Sequence, residues 1–393
     1  MIKNIQDRFI TIIIFLLGFS LCVSTSLMSI TYPIVSCLAF VQKDFSLKEV
    51  FKNKFILASV LFYCIFIFAT LWSKVPFVDR WKMLTHIVIY LVAPLLFMVL
   101  KNQNHAKKLL EGFVIGALLS AILSILSVLF HHPILYGLRD PIKGSVFHGH
   151  ILHNAFLAIA ASIFLAIILN KNTLYKNKIY ACIAYLICII DIFFIVDGRT
   201  GMIMLLVMNG FMVLCFLRRK GLIILAVTAV AAAPLFYLSP AIKGGIKNYQ
   251  ADMNNYKMGN IKTSMGYRLV FHEVSNKLIL QNPLLGSGTG SFAASFKDYV
   301  TKHHIPAITV NPHRDILWVG VETGICGMIL FLIMLFAAVY ESLKLTYFDR
   351  IIGLSLILGY FTASLQNSFF IDNVTGIAFV VIFLSIMGMN NEV

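Results

Sequence analysis

Arginine and histidine recur beside apolar runs in this sequence, and their positions raise the first chemical question. Arg199 sits in Asp197-Gly198-Arg199-Thr200-Gly201, a turn tight enough to hold its guanidinium at a helix mouth. Arg268 lies on a stretch with helical spacing of apolar residues. His313 and Arg314 stand directly before a long apolar run, and Arg80, Arg139, His148, His150 and His153 border the same side. A guanidinium presents a planar fork of donors that matches phosphate oxygens two at a time. Histidine has the intrinsic pKa to take a proton from a hydroxyl near neutral pH. Such a cluster at a membrane surface suits an anionic lipid headgroup or a lipid-linked diphosphate.

Each residue also has an ordinary reading. Helix-end arginines such as Arg199 often snorkel or cap a turn, Arg268 fits a solvated face, and His313 fits an interface. The spacing of His148, His150 and His153 matches no strong zinc pattern, so no metal site is expected. Asp191 lies roughly 9 Å of helix rise below the mouth. Intramembrane carboxylates are functional by default, yet a polar partner inside a bundle would satisfy this one, and both readings stay open. Glu322 follows His313 by nine residues, about 900° of helix rotation, so it is expected to face away and bond elsewhere in the bundle.

The elements that must position these residues are membrane helices. The chain has 393 residues, 59% hydrophobic and 12% charged, with a mean hydropathy of +0.87, against roughly 25% charged in soluble domains. Apolar runs long enough to cross a bilayer are read over 9–24, 27–41, 55–72, 83–99, 109–130, 151–169, 179–196, 201–217, 221–238, 315–339, 351–369 and 374–389. The expected fold is therefore an all-α integral membrane protein, one polytopic domain over 1–393 with about twelve transmembrane helices. The first apolar run lacks a small-residue cleavage site and is expected to stay as an anchor.

Lysine and arginine set the orientation. Lys43, Lys48, Lys52, Lys54, Lys101, Lys107, Lys108 and Arg218-Arg219-Lys220 fall on one side, whereas the short loops of the other hold only Lys74, Arg80, Lys82, Arg139, Lys143 and Arg199. Positive residues stay cytoplasmic, so the chemistry-bearing side is expected to face outward. Trp72, Trp81 and Trp318 all fall at outer helix ends, where interfacial rings belong. The net charge of +15 is mostly this topology signal, and no nucleic-acid partner is expected. The seven cysteines all lie within apolar runs as small fillers, with no metal spacing or disulfide framework.

The longest polar stretch, 239–314, is expected as a large periplasmic loop between the ninth and tenth helices. Within it Ser264 is a candidate helix cap, Val270, Phe271, Val274 and Leu278 form an apolar stripe, Asn282-Pro283 ends the helix, and Gly286 to Gly290 follow as a flexible turn. An amphipathic helix on the membrane rim and a packing helix over the bundle both fit. No internal repeat is visible, and the loop has no counterpart after the third span, which argues against a two-halved transporter.

The order of these features resembles the O-antigen ligase/polymerase superfamily. Pro312-His313-Arg314, followed by nine residues and then Gly324-Ile325-Cys326-Gly327, is similar to the signature of bacterial O-antigen ligases. Gln281-Asn282-Pro283-Leu284-Leu285-Gly286-Ser287-Gly288-Thr289-Gly290 looks like the segment that precedes it. Asp197 to Gly201 resembles the family's Ser-Arg-Gly turn, and Tyr267-Arg268 occupies the place of a second functional arginine. The family usually has Asn, Ser or Gln where this chain has Arg314.

The resemblance implies an inverting, metal-independent glycosyltransferase of the bacterial inner membrane, multi-pass, with its site facing the periplasm and no cofactor. It would move a glycan from undecaprenyl diphosphate to a sugar hydroxyl of lipid A-core. His313 would be the base. Arg199 and Arg268, with Arg314, Arg80, Arg139 and His150, would bind substrate. An O-antigen polymerase, a protein O-oligosaccharyltransferase and a lipid-linked sugar transporter remain the alternatives.

Overall fold

The computed structural model of the protein describes residues 2–41, 46–130, 144–238 and 240–390. Its described residues are helical, without a strand. The helices in chain order are α1 (Ile2–Val23), α2 (Thr25–Cys37), α3 (Leu47–Val50), α4 (Lys54–Ala69), α5 (Phe77–His86), α6 (Ile89–Leu100), α7 (Gln103–Leu129), α8 (His150–Leu169) and α9 (Tyr175–Ile190). There follow α10 (Arg199–Leu217), α11 (Arg219–Leu238), α12 (Pro240–Lys257), α13 (Ser264–Gln281), α14 (Phe292–Lys302), α15 (Asp315–Leu343), α16 (Tyr347–Ser364) and α17 (Asn373–Gly388).

Each apolar run read from the sequence falls on a helix. Among the described residues, six helical segments are sufficient by length and composition to cross a membrane: Phe77–Leu100, Gln103–Leu129, His150–Leu169, Tyr175–Ile195, Arg199–Leu217 and Asp315–Leu343. Thr25–Val41, Lys54–Ala69 and Asn373–Gly388 are apolar but shorter. The last of these is no lipid-facing span. Residues Thr375 to Gly388 are all buried, and Phe379 meets Tyr360 at 4.9 Å and Phe370 at 4.8 Å between ring centroids. A helix apolar on every side belongs in an interior, and α17 forms the centre against α6, α7 and α16.

Close helix approach supplies the other packing device. A methyl group at Gly112 of α7 would collide with the Phe15 carbonyl of α1. Small residues bring backbones together where lipid removes the hydrophobic drive.

The 239–314 stretch contains α12, α13 and α14, so most of it is ordered helix. Thr263, not Ser264, caps α13, its hydroxyl accepting from the Gly266 N–H. The helix ends at Gln281, one residue before Asn282-Pro283. Val270, Phe271, Val274 and Leu278 are each buried, with α13 packed on α14 and α15. The stripe is therefore a packing face, not a membrane-rim face.

The glycine-rich segment after α13 is a pinned strap instead of a flexible turn. Inside α15, Gly324 has φ 63° and ψ −161°, which breaks the helix. That break frees backbone groups that must find partners. The strap supplies them: Ile325 N–H donates to Pro283 O at 2.8 Å, Ser287 N–H to Val321 O at 2.8 Å and Gly288 N–H to Glu322 O at 2.9 Å. Gly286 is also at positive φ, and a Cβ there would sit 2.5 Å from the Glu322 carbonyl carbon. Only glycine tolerates both conditions.

Candidate functional site: a basic cavity where four helices begin

Glu322 and Asp315 show how the fold holds this end of the bundle. Glu322 turns away from His313 as its helical offset requires. Its carboxylate accepts from Gly290 N–H at 2.8 Å, Phe292 N–H at 3.4 Å and the Trp318 indole N–H at 2.9 Å. Trp318 is accordingly buried and packed at a tilt against Phe292, not an interfacial ring; Trp81 remains exposed. Asp315 accepts from the N–H groups of Phe369, Phe370 and Ile371 at 2.8–3.0 Å, fixing the turn between α16 and α17.

A cavity of about 580 Å³ opens beside these clamps. Arg199, Arg268, Arg314, His150 and His272 line it, together with Asp197, Asp252 and Thr200. Four helices start at its wall. His150 opens α8, Arg199 opens α10, Arg268 lies in the second turn of α13, and Arg314 is the N-cap of α15. Unpaired N–H groups and the helix dipole make a helix start attractive to anions. Arginines at three of these starts strengthen that field.

Local structure explains each position. The π-turn Asp191–Ile195 ends the helix before the Arg199 turn. Asn154 of α8 donates from Nδ2 to Val196 O at 3.0 Å and Gly198 O at 3.2 Å, and a Cβ at Gly198 would stand 2.5 Å from that nitrogen. The turn thus lies flat on α8 and sets Arg199 at the mouth. Asp252 of α12 accepts from Met265 N–H at 3.2 Å, tying down the start of α13. Arg314 Nε donates to Leu365 O at 3.2 Å. Burial first, and then the Arg199 charge, push the Arg268 guanidinium below its usual pKa.

His313 is not among the residues lining the cavity; it stands next to Arg314, which is, and holds a specific posture. Its backbone is left-handed, φ 56°, a conformation uncommon outside glycine. The Asn311 side chain holds it there, Oδ1 accepting from His313 N–H at 2.7 Å and from Ser368 Oγ at 2.8 Å. The ring stacks on Phe271 at 6.0 Å. Burial and then Arg268 lower its pKa, while a hydrogen bond with the Asn367 side chain opposes them. Asn367 Nδ2 donates to Thr200 Oγ1 at 3.0 Å, which leaves its carbonyl oxygen as the acceptor for an imidazole N–H. The other ring nitrogen then carries the lone pair, as a base oriented by a third group requires.

His272, Asn367 and Thr200 were not singled out in the sequence. His272 follows Arg268 by four positions on α13, hence the same face, which was the available signal. Burial, then Arg314 and Arg268, push it down to about 4, so its imidazole is neutral at pH 7. Its Nε2 is buried without a hydrogen-bond partner.

The remaining candidates lie elsewhere. Arg80 donates from Nε to Val75 O at 2.8 Å and from Nη1 to Thr70 O at 3.3 Å, closing the α4–α5 connection and standing outside the cavity lining. Arg139 lies outside the described residues. His148 is buried with Nε2 at 3.0 Å from Leu21 O. His153 lies between Asp191 Oδ1 at 3.0 Å and Ser120 Oγ at 3.1 Å, so the intramembrane carboxylate has its polar partner inside the bundle. Among the described residues no group of three or more ligating side chains is arranged to hold a metal ion.

A model of the family described as O-antigen ligase matches residues 183–332. The matched stretch contains Arg199, Arg268, the strap, His313, Arg314 and the Gly324 break. No curated protein matches the chain.

Proposed function

The match over residues 183–332 supports membership of the O-antigen ligase family, and from that premise we propose an inverting glycosyltransferase that moves a glycan from undecaprenyl diphosphate to a lipid A-core sugar hydroxyl. The family implies a membrane glycosyltransferase-like enzyme with lipid-linked glycan substrates. The observation that supports the finer reading is the convergence of Arg199, Arg268 and Arg314 with helix starts on one cavity beside His313.

The roles follow from charge. The donor diphosphate is a good leaving group and needs its developing negative charge stabilised, which bidentate arginines and helix starts supply. The acceptor hydroxyl loses its proton to the free nitrogen of His313. Its oxygen attacks the anomeric carbon from the side opposite the diphosphate, the carbon–oxygen bond to phosphate breaks, and the configuration inverts. Both substrates are lipids, so a site at the periplasmic face of the inner membrane suits them. No step calls for a metal.

Lipopolysaccharide from a deletion strain tests the reading. Ligase loss leaves core without O-antigen, and a plasmid bearing His313→Ala fails to restore it although the variant reaches the membrane. Core bearing a single repeat identifies a polymerase instead. An unchanged profile refutes both.

A further inference from the structure

A second cavity, of about 720 Å³, lies against the strap and the end of α13. Its wall is one face of α14. Ser291, Ser295, Asp298 and Lys302 line it at offsets 0, 4, 7 and 11, while Phe292, Phe296 and Val300 of the same segment are buried in the core. Its floor includes Ser291, 2% exposed, whose Oγ is buried without a hydrogen-bond partner. A buried hydroxyl without a partner is costly in a folded protein, so this one has capacity left for a polar neighbour.

Two aromatic rings flank these groups. Trp72 is fixed by its indole N–H, which donates to Leu285 O at 3.1 Å. Tyr299 packs against His303 with ring centroids 4.3 Å apart. Gln281 and Asn282 add amides at the end of α13. A sugar ring presents an apolar C–H face and an edge of hydroxyls. Aromatic faces accept the first, while amides, hydroxyls and a carboxylate accept the second. The volume lies in the roughly 300–1,000 Å³ range of ligand sites. Among the described residues no arginine lines this cavity; its cationic side chains are Lys74 and Lys302.

We propose that this second cavity is an oligosaccharide subsite. It rests on the glycosyltransferase reading in one respect, that the sugars it holds belong to a substrate whose reacting end is at the basic cavity. The two sites share α13: His272 lines one and Leu278 the other, roughly 9 Å apart along the helix axis. A chain of a few sugars can reach between them. Such a subsite would select the substrate by its sugars without touching the diphosphate.

The test is binding by full-length purified protein in nanodiscs, with two lipid-free probes that share no sugars: core oligosaccharide released by mild acid from lipopolysaccharide lacking O-antigen, and an O-antigen repeat oligosaccharide free of core. One of them binds, and its identity assigns the cavity to acceptor or donor. Asp298→Ala and Tyr299→Ala each weaken that binding about tenfold, the loss of one charge-assisted hydrogen bond or one ring contact. Binding of neither probe, or equal binding by both cavity variants and wild type, overturns the subsite. Transfer assayed in the same preparation separates the failures. Active enzyme without variant-sensitive binding refutes the subsite alone. Variant-sensitive binding without transfer refutes the reaction and leaves the subsite standing.

Discussion

Glu322→Ala should loosen the strap that borders the second cavity. The carboxylate accepts three N–H groups, from Gly290, Phe292 and Trp318. Each donor left buried and unpaired costs about 1–3 kcal/mol, but removing a buried charge recovers part of that, since its desolvation is itself several kcal/mol. A net loss of about 2–5 kcal/mol is expected, shared by the strap, the start of α14 at Phe292 and Trp318 of α15. Glu322→Gln is milder. Its amide oxygen can keep the Oε1 partners, Trp318 and Phe292, while its NH2 faces the Gly290 N–H as donor against donor, for a loss of about 1–3 kcal/mol.

Hydrogen exchange read by mass spectrometry checks this directly, because local opening sets the exchange rate. A loss of about 2 kcal/mol raises the open population roughly 30-fold. Peptides covering 283–291 should exchange faster by that order in Glu322→Ala, less in Glu322→Gln, while peptides within α17 stay protected. Unchanged exchange of 283–291 in Glu322→Ala would falsify the clamp and leave the α15 break to be held by Gly324 alone.

Other perturbations have equally definite outcomes. Gly324→Ala places a Cβ against the Leu284 backbone at φ 63°, costing at least ~1–3 kcal/mol in strain; Gly210→Ala meets open space and should not lower the melting temperature, so equal melting of the two would contradict the break. Transfer by purified enzyme should depend on neutral His313, whose pKa is lowered. The rate therefore rises with pH and levels off with a midpoint below 6.5, and a midpoint above that value excludes it as the base. His313→Ala should cut turnover roughly 10²–10⁴-fold with donor binding retained, whereas Arg199→Lys and Arg268→Lys should weaken donor binding by losing the fork. A cysteine at exposed Lys257 should react with impermeant maleimide in cells whose outer membrane alone is permeabilised; labelling only after inner-membrane lysis inverts the proposed topology.

Local periodicity is what the sequence by itself determined. Apolar runs give helices because every backbone group in lipid must bond within its own segment. Asn282-Pro283 stops α13, and nine residues of rotation turn Glu322 from His313. The short glycine turn brings Arg199 to a helix mouth. These are consequences of neighbours along the chain. Which basic residues meet was decided only by the tertiary structure. Residues 150, 199, 268 and 314 converge because α8, α10, α13 and α15 begin at one place, whereas His148 and His153, close to His150 in the chain, turn into the bundle and Arg80 turns to its own loop. The partners of His313 follow the same rule, since Asn367 and Thr200 come from distant segments. Composition could not place α17 at the centre either. Lipid and protein interior are equally apolar, so a buried helix and a lipid-facing one read alike until packing separates them.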